Sequence, residues 1–219
     1  MNTNFSTSYR PIDLSSWKRK EHFKKWIQFD EPFHGVVVLV DLTIARDYCN
    51  SKGFKLFDYY MYHFVETLNE SPPFKYRLVD QQPVEFDEVF SGLVILKPDD
   101  TFAYGHLVRT DTFENFQLQL AKEKARIVER GTLHDTERFL NITHFSVLPW
   151  TDFLSLSHAR KYGDADSIPK ITFGKISHKN DRYNMPMAVH VHHALVDGKD
   201  VAEFINRFQQ RLDKEREGN

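Results

Sequence analysis

The sequence predicts a mixed α/β domain, and three stretches carry that reading. Residues 35–42, GVVVLVDL, are a β-branched run suited to a central strand. Residues 56–68, LFDYYMYHFVETL, are long enough for an aromatic-rich helix. Residues 187–200, MAVHVHHALVDGKD, alternate as a strand does and then break at an Asp-Gly turn. A chain of 219 residues can bury one sizeable core, so a single domain spanning 1–219 is expected.

Taken in order, residues 15–29 place a cap-like serine before Trp17, Phe23, Trp26 and Ile27, which predicts a short helix with its lysines on a solvated face. The strand at 35–42 follows, then the helix at 56–68, ended by Pro72 and Pro73. Short extended segments at 76–78, 89–96 and 102–108 are separated by polar turns such as residues 97–100, a pattern of antiparallel meanders. Residues 112–130 are helical, with Phe113, Phe116, Leu120 and Ile127 at three- and four-residue spacing and Gly131 as the stop. Strands at 143–150, 171–176 and 185–195 precede a closing helix from about 201 to 215, and the charged last six residues read as a frayed end.

Composition excludes several classes of function. Lys plus Arg number 29 and Asp plus Glu 31, so a net charge of −2 gives no global attraction for nucleic acid or an anionic membrane. A single cysteine, Cys49, leaves no internal disulfide and no cysteine-clustered metal site, and its surroundings contain no activating pattern. No stretch is apolar enough for a secretory signal or a membrane span, so a cytoplasmic location is expected. Aromatic residues make up 14% of the chain, enough to line a core, an interface or a ligand tunnel, and the number alone does not choose among them.

The segment at 187–200 carries the chemistry. Strand periodicity puts Val189, Val191 and His193 on one face and His190 and His192 on the other, which places His193 on the apolar side. Imidazole has a reference pKa of about 6.5 and can take a hydroxyl proton and return it, although a lone inward histidine is commonly structural. Asp197 stands four residues on, where a triad contact and a turn-forming role compete, and the turn role is favoured. Metal binding by His190, His192 and His193 is disfavoured: alternation sends the rings apart, and neither a cysteine set nor an HExxH motif accompanies them.

Four segments, in order, carry a resemblance over nearly the whole chain: SWKRKEHF at 16–23, FSVLPW at 145–150, TFGK at 172–175, and HHxxxDG from His192 to Gly198. Together they make the chain similar to the chloramphenicol acetyltransferase family. HHxxxDG alone is shared with dihydrolipoyl acyltransferase and peptide-synthetase condensation domains, but the short length favours the small acetyltransferase. The resemblance implies a two-layer α/β sandwich with a mixed, largely antiparallel sheet and packed helices. It implies a homotrimer with active sites between subunits, no tightly bound cofactor and no metal, and acetyl-CoA as cosubstrate for a small aromatic alcohol such as chloramphenicol.

By the same resemblance His193 is the general base, Ser146 donates to the developing oxyanion, and Thr172 helps hold a water near the tetrahedral intermediate. Arg19 and Asp197 form a remote ion pair that positions the histidine loop. Trp26, Phe102 and His144 fall in acceptor-pocket segments, with Trp26 in place of the usual tyrosine and His144 in place of a less ionisable residue. Lys175 matches a lysine on the CoA side. These departures at Trp26 and His144 open one alternative, a CoA-dependent acetyltransferase for another small alcohol or amine; a second is a noncatalytic binding homologue that keeps the fold, against which the presence of His193, Ser146 and Thr172 argues.

Overall fold

The computed structural model describes residues 8–130, 139–160 and 166–214, and within them ten strands and five α-helices. In chain order these are β1 (Tyr9–Pro11), α1 (Lys20–Trp26), β2 (Phe33–Asp41), α2 (Thr43–Lys52), α3 (Leu56–Asn69), β3 (Tyr76–Val79), β4 (Gln82–Phe86), β5 (Phe90–Leu96) and β6 (Phe102–Leu107). They continue with α4 (Phe113–Arg130), β7 (Ile142–Val147), β8 (Lys170–Phe173), β9 (Ser177–Lys179), β10 (Arg182–His192) and α5 (Gly198–Asp213). A small antiparallel sheet runs β1-β4-β3. The main sheet runs β2-β10-β8-β7-β5-β6, with β9 added on β10. Only β7 pairs in parallel, with β5 on one side and β8 on the other.

Local chemistry accounts for the turns and ends. Asp80 and Gln81 between β3 and β4, and Asn180 and Asp181 between β9 and β10, all have positive φ, as two-residue hairpin turns require, and Asn and Asp tolerate it. Gly53 closes α2 at φ 72, and the Thr112 hydroxyl accepts the Asn115 amide at 3.2 Å at the start of α4. Asp197 caps α5, its side chain accepting from the Lys199 and Asp200 amides while Asp200 returns a bond to the Asp197 amide.

The core lies between one face of the main sheet and the helices. Phe64 of α3 sits at its centre, 5.3 Å from Phe145 of β7, 5.7 Å from Phe173 of β8, and 6.1 Å from both Phe204 and Phe208 of α5. All five rings are buried, as are Ile171, Met187, Val189 and Val191. One cation is embedded among them. Arg77 of β3 is fully buried and donates to the carbonyls of Phe74, Tyr76, Leu140 and Ile142 at 2.6–2.9 Å, with the Thr143 hydroxyl at 3.5 Å. Its guanidinium therefore ties the start of β7 to β3, and burial lowers its pKa to about 9 while Asp166 pulls the other way.

The layered α/β architecture and its largely antiparallel sheet are as expected, and the differences are local. The first helix spans only Lys20–Trp26, because Ser15 and Ser16 bond the Asp13 side chain in a turn of their own instead of capping. The strand at 143–150 stops at Val147 and the one at 171–176 at Phe173. β10 ends at His192, so His193 belongs to the following turn and is half-buried, not part of the apolar strand face. Helix α2 had no counterpart in the sequence reading. Gly131 and residues 215–219 lie outside the described residues.

Candidate active site

Register builds the site. The partners Phe145–Ile171–Val189 across β7, β8 and β10 face the core, and so do Phe173 and Met187. The intervening residues therefore face the other way. On that second face one row runs Ser146–Thr172–Ala188–Val37 across four strands, and the adjacent row runs His144–Lys170–His190–Gly35. Thr172 is buried, its hydroxyl without a hydrogen-bond partner, and among the described residues none bonds the Ser146 hydroxyl.

His193 occupies the turn between β10 and α5. Its amide donates to the Pro32 carbonyl at 2.8 Å, and the Leu195 and Val196 amides return to the His192 carbonyl at 2.9 and 3.0 Å. The imidazole stacks on Trp26, with centroids 4.2 Å apart and planes 9° from parallel, and the His34 ring lies 4.3 Å away. His34 Nε2 is 3.2 Å from the Val196 carbonyl. Burial lowers the His193 pKa, and His34 lowers it further, while the residue's own carbonyl and Asp197 act in the opposite sense. Nδ1 is buried without a well-formed hydrogen bond. The ring is thereby held neutral, the form that can accept a proton.

The turn is pinned from α1's start. The Arg19 guanidinium bonds the Asp197 carboxylate, donates to the His193 carbonyl at 3.1 Å, and lies 3.5 Å from Asp200. Burial raises the Asp197 pKa, but the Asp200 amide and Arg19 outweigh it and hold the carboxyl below its ordinary range. Its stabilising contribution is present above the unfolded carboxylate pKa and is lost as pH falls through the lowered value. Arg19→Met is expected to cost about 1–3 kcal/mol, since a charge-assisted bond and a carbonyl contact are lost while the helix cap survives. A urea titration reads this as a lower midpoint with an unchanged slope.

The structure brings some expected site residues together and leaves others apart. Arg19, Asp197, His193 and Trp26 form one cluster; Ser146, Thr172 and His144 form a second on the sheet face. Within one chain these do not meet: from Ala188, the partner of Thr172, β10 runs four residues on to His192 before His193 follows in the turn, roughly 16 Å of chain in all. Phe102 is exposed on the edge strand β6, paired with Leu96 and near Tyr104, and Lys175 is exposed with its amide on the Thr151 carbonyl. Among the described residues no group of three or more His, Cys, Asp or Glu is arranged to hold a metal. His192 is buried against Phe33, its Nδ1 accepting the Ala194 amide. No helix among the described residues is long and apolar enough to cross a membrane.

Sequence reasoning did not reach His34, Lys170 or His158. His34 and His158 come from segments remote in sequence from the HHxxxDG motif, and Lys170 joins its row only through register. A signal for His34 existed: it stands one residue before the glycine that opens the β-branched run.

Comparison with known proteins places this arrangement. The family model described as chloramphenicol acetyltransferase matches residues 7–209. A chloramphenicol acetyltransferase of Clostridioides difficile is 28% identical over 209 residues, covering 93% of this chain and 96% of that protein. One from Escherichia coli is 26% identical over 210 residues, covering 95% of each. Among solved structures, a chloramphenicol acetyltransferase superposes with a TM-score of 0.79 at 23% identity, covering 94% of this chain and all of that one. The Azotobacter vinelandii dihydrolipoamide acetyltransferase shares the fold at TM-score 0.67 and 13% identity, covering 89% of this chain and 86% of that one.

Proposed function

The chain belongs to the chloramphenicol acetyltransferase family, and from that premise we propose that it transfers acetyl from acetyl-CoA to a small alcohol, with His193 as general base. Chloramphenicol, through its 3-hydroxyl, is the acceptor that the names of its relatives suggest. The observation that carries the reading is the stacked His193 imidazole on a turn locked by Arg19 and Asp197.

His193 removes the hydroxyl proton as the acceptor oxygen attacks the thioester carbonyl. A carbon–oxygen bond forms, the carbon–sulfur bond of the tetrahedral intermediate then breaks, and the proton passes from His193 to the departing thiolate. No acyl-enzyme is needed, which agrees with a buried Cys49 whose thiol is pushed up to about 11 by burial and Asp58. Ser146 donates to the oxyanion and Thr172, with its unpartnered buried hydroxyl, holds a water beside it. The separation of His193 from both within one chain supports a homotrimer in which one subunit's His193 faces the next subunit's Ser146 and Thr172. Trp26 and Phe102 then wall the acceptor side, and Lys175 meets a CoA phosphate.

The test is release of CoA thiol from acetyl-CoA in the presence of chloramphenicol, paired with mass detection of the acetylated product, because thioester loss alone also reports hydrolysis. Saturable chloramphenicol binding with no acetylated product from it or from any of a panel of other alcohols would sink the catalytic reading. A second reading, another alcohol as acceptor, is favoured by one observation: the row beside Ser146 and Thr172 is polar, with His144, Lys170 and His190.

A further inference from the structure

We propose that His144, Lys170 and His190, with His158 edge-on to His190, form an acceptor-recognising row that takes a neutral, multiply hydroxylated molecule such as a sugar or polyol. This rests on the acyl-transfer reading above and names the acceptor class for that site. The row shares a face with Ser146 and Thr172 and lies two residues along the strands from them, about 7 Å away. A hydroxyl reacting beside Ser146 therefore has the row within reach of another hydroxyl of the same molecule.

The row is built to hold its rings. His190 lies over Gly35 of β2, where an added Cβ would come within 2.4 Å of the imidazole, so only glycine leaves room for the ring. His158 meets it edge-on with centroids 4.9 Å apart. Nδ1 of His190 and Nε2 of His158 are both buried without a well-formed hydrogen bond, although the Leu156 carbonyl lies near enough to the His190 ring to favour its protonated form, and the Thr172 hydroxyl in the next row is likewise unpartnered. Buried nitrogen atoms of this kind are costly unless water or a ligand pairs them.

Charge selects the ligand class. Lys170 bonds Asp166 at 2.5 Å and the Ile168 carbonyl at 3.2 Å, and Arg160 bonds Glu31 with Asp166 3.9 Å away. Among the described residues both cations are thus matched by carboxylates, leaving no surplus charge to draw an anion. Burial, with Lys170 adding to it, depresses His144 to about 4; burial and then His190 depress His158 to about 4; burial also lowers His190. His144 itself is exposed, so a molecule on this face can reach it. Neutral imidazoles each offer one donor and one acceptor, which is the pairing of a hydroxyl. An apolar body laid on the row would cover these nitrogens without pairing them, and an ammonium would face Lys170 and Arg160.

The experiment compares three acceptors with the wild-type chain and acetyl-CoA: 4-nitrophenyl β-D-glucopyranoside, 4-nitrobenzyl alcohol and chloramphenicol. The glucoside is expected to exceed the benzyl alcohol in kcat/KM by about tenfold or more. His144→Leu and His190→Phe are each expected to lower that ratio about tenfold, whereas His144→Gln, which keeps a donor and an acceptor at this exposed position, holds it within about threefold. Thiol release with chloramphenicol but not with the glucoside overturns the polar-acceptor inference and leaves acyl transfer standing, as do variants that leave the ratio unchanged. If none of the three acceptors releases thiol above hydrolysis, acyl transfer itself falls and the inference falls with it.

Discussion

Replacing His193 with alanine is expected to lower kcat for acetyl transfer by about 10³-fold or more, the usual worth of a positioned general base, while the protein stays folded. The side chain is half-buried, and what anchors the turn is backbone: the His193 amide on Pro32, the His193 carbonyl under Arg19 and the Asp197 cap of α5 all survive the substitution. A circular-dichroism melt within a few degrees of wild type, beside the lost rate, separates catalysis from folding. Because burial and His34 lower its pKa, His193 stays unprotonated below the usual imidazole range of about 6.5. The wild-type rate is therefore flat through neutrality and falls as pH drops through that lowered value. An acidic limb centred above about 7 would contradict the assignment.

The second large effect is at Ser146. Ser146→Ala is expected to reduce kcat about 10²- to 10³-fold with little change in KM, because a donor aimed at an oxyanion acts only once that charge develops. The residue is half-buried on a strand paired with Thr172, and losing one oxygen there disturbs neither the register nor the Phe145 side of the sheet. A large rise in KM with kcat little changed would point to ground-state binding instead. The two variants also test where the site is assembled. If His193 and Ser146 act from neighbouring subunits of a trimer, an equal mixture of His193→Ala and Ser146→Ala chains, unfolded and refolded together, restores about a quarter of the sites. Recovery no greater than the sum of the two variants alone would mean that each chain builds its own site.

What the sequence made legible follows from the range of the interactions involved. α3, α4, α5 and β10 are long and strongly patterned, so periodicity alone located them. α2 has only Ala45 and Cys49 buried and begins directly after β2, so its pattern is faint; its clearest mark is Gly53, which closes it in the left-handed conformation. The tiny strands β1 and β9 owe their existence to β4 and β10, which no local pattern encodes. At the site, the Arg19–Asp197 contact spans 178 positions and was reachable only through resemblance. Strand alternation places His193 on the apolar face, but β10 ends one residue before it and no local signal marks that end. The row of His144, Lys170 and His190 depends on parallel and antiparallel register at once, information that exists only when three strands are assembled.

The two arginines that fix the two parts of the site differ in how they answer to ionic strength. Arg77 hydrogen-bonds only uncharged oxygen atoms deep in the protein, where dissolved ions have no access to it. Arg19 is held by two carboxylates, one of them 36% exposed, within the roughly 8–10 Å over which salt acts at ordinary concentrations. Added sodium chloride is therefore expected to loosen the histidine turn while β7 keeps its place, so that turnover declines with salt before the melting temperature does. Salt tolerance in this protein is set at the proton-accepting end of the site.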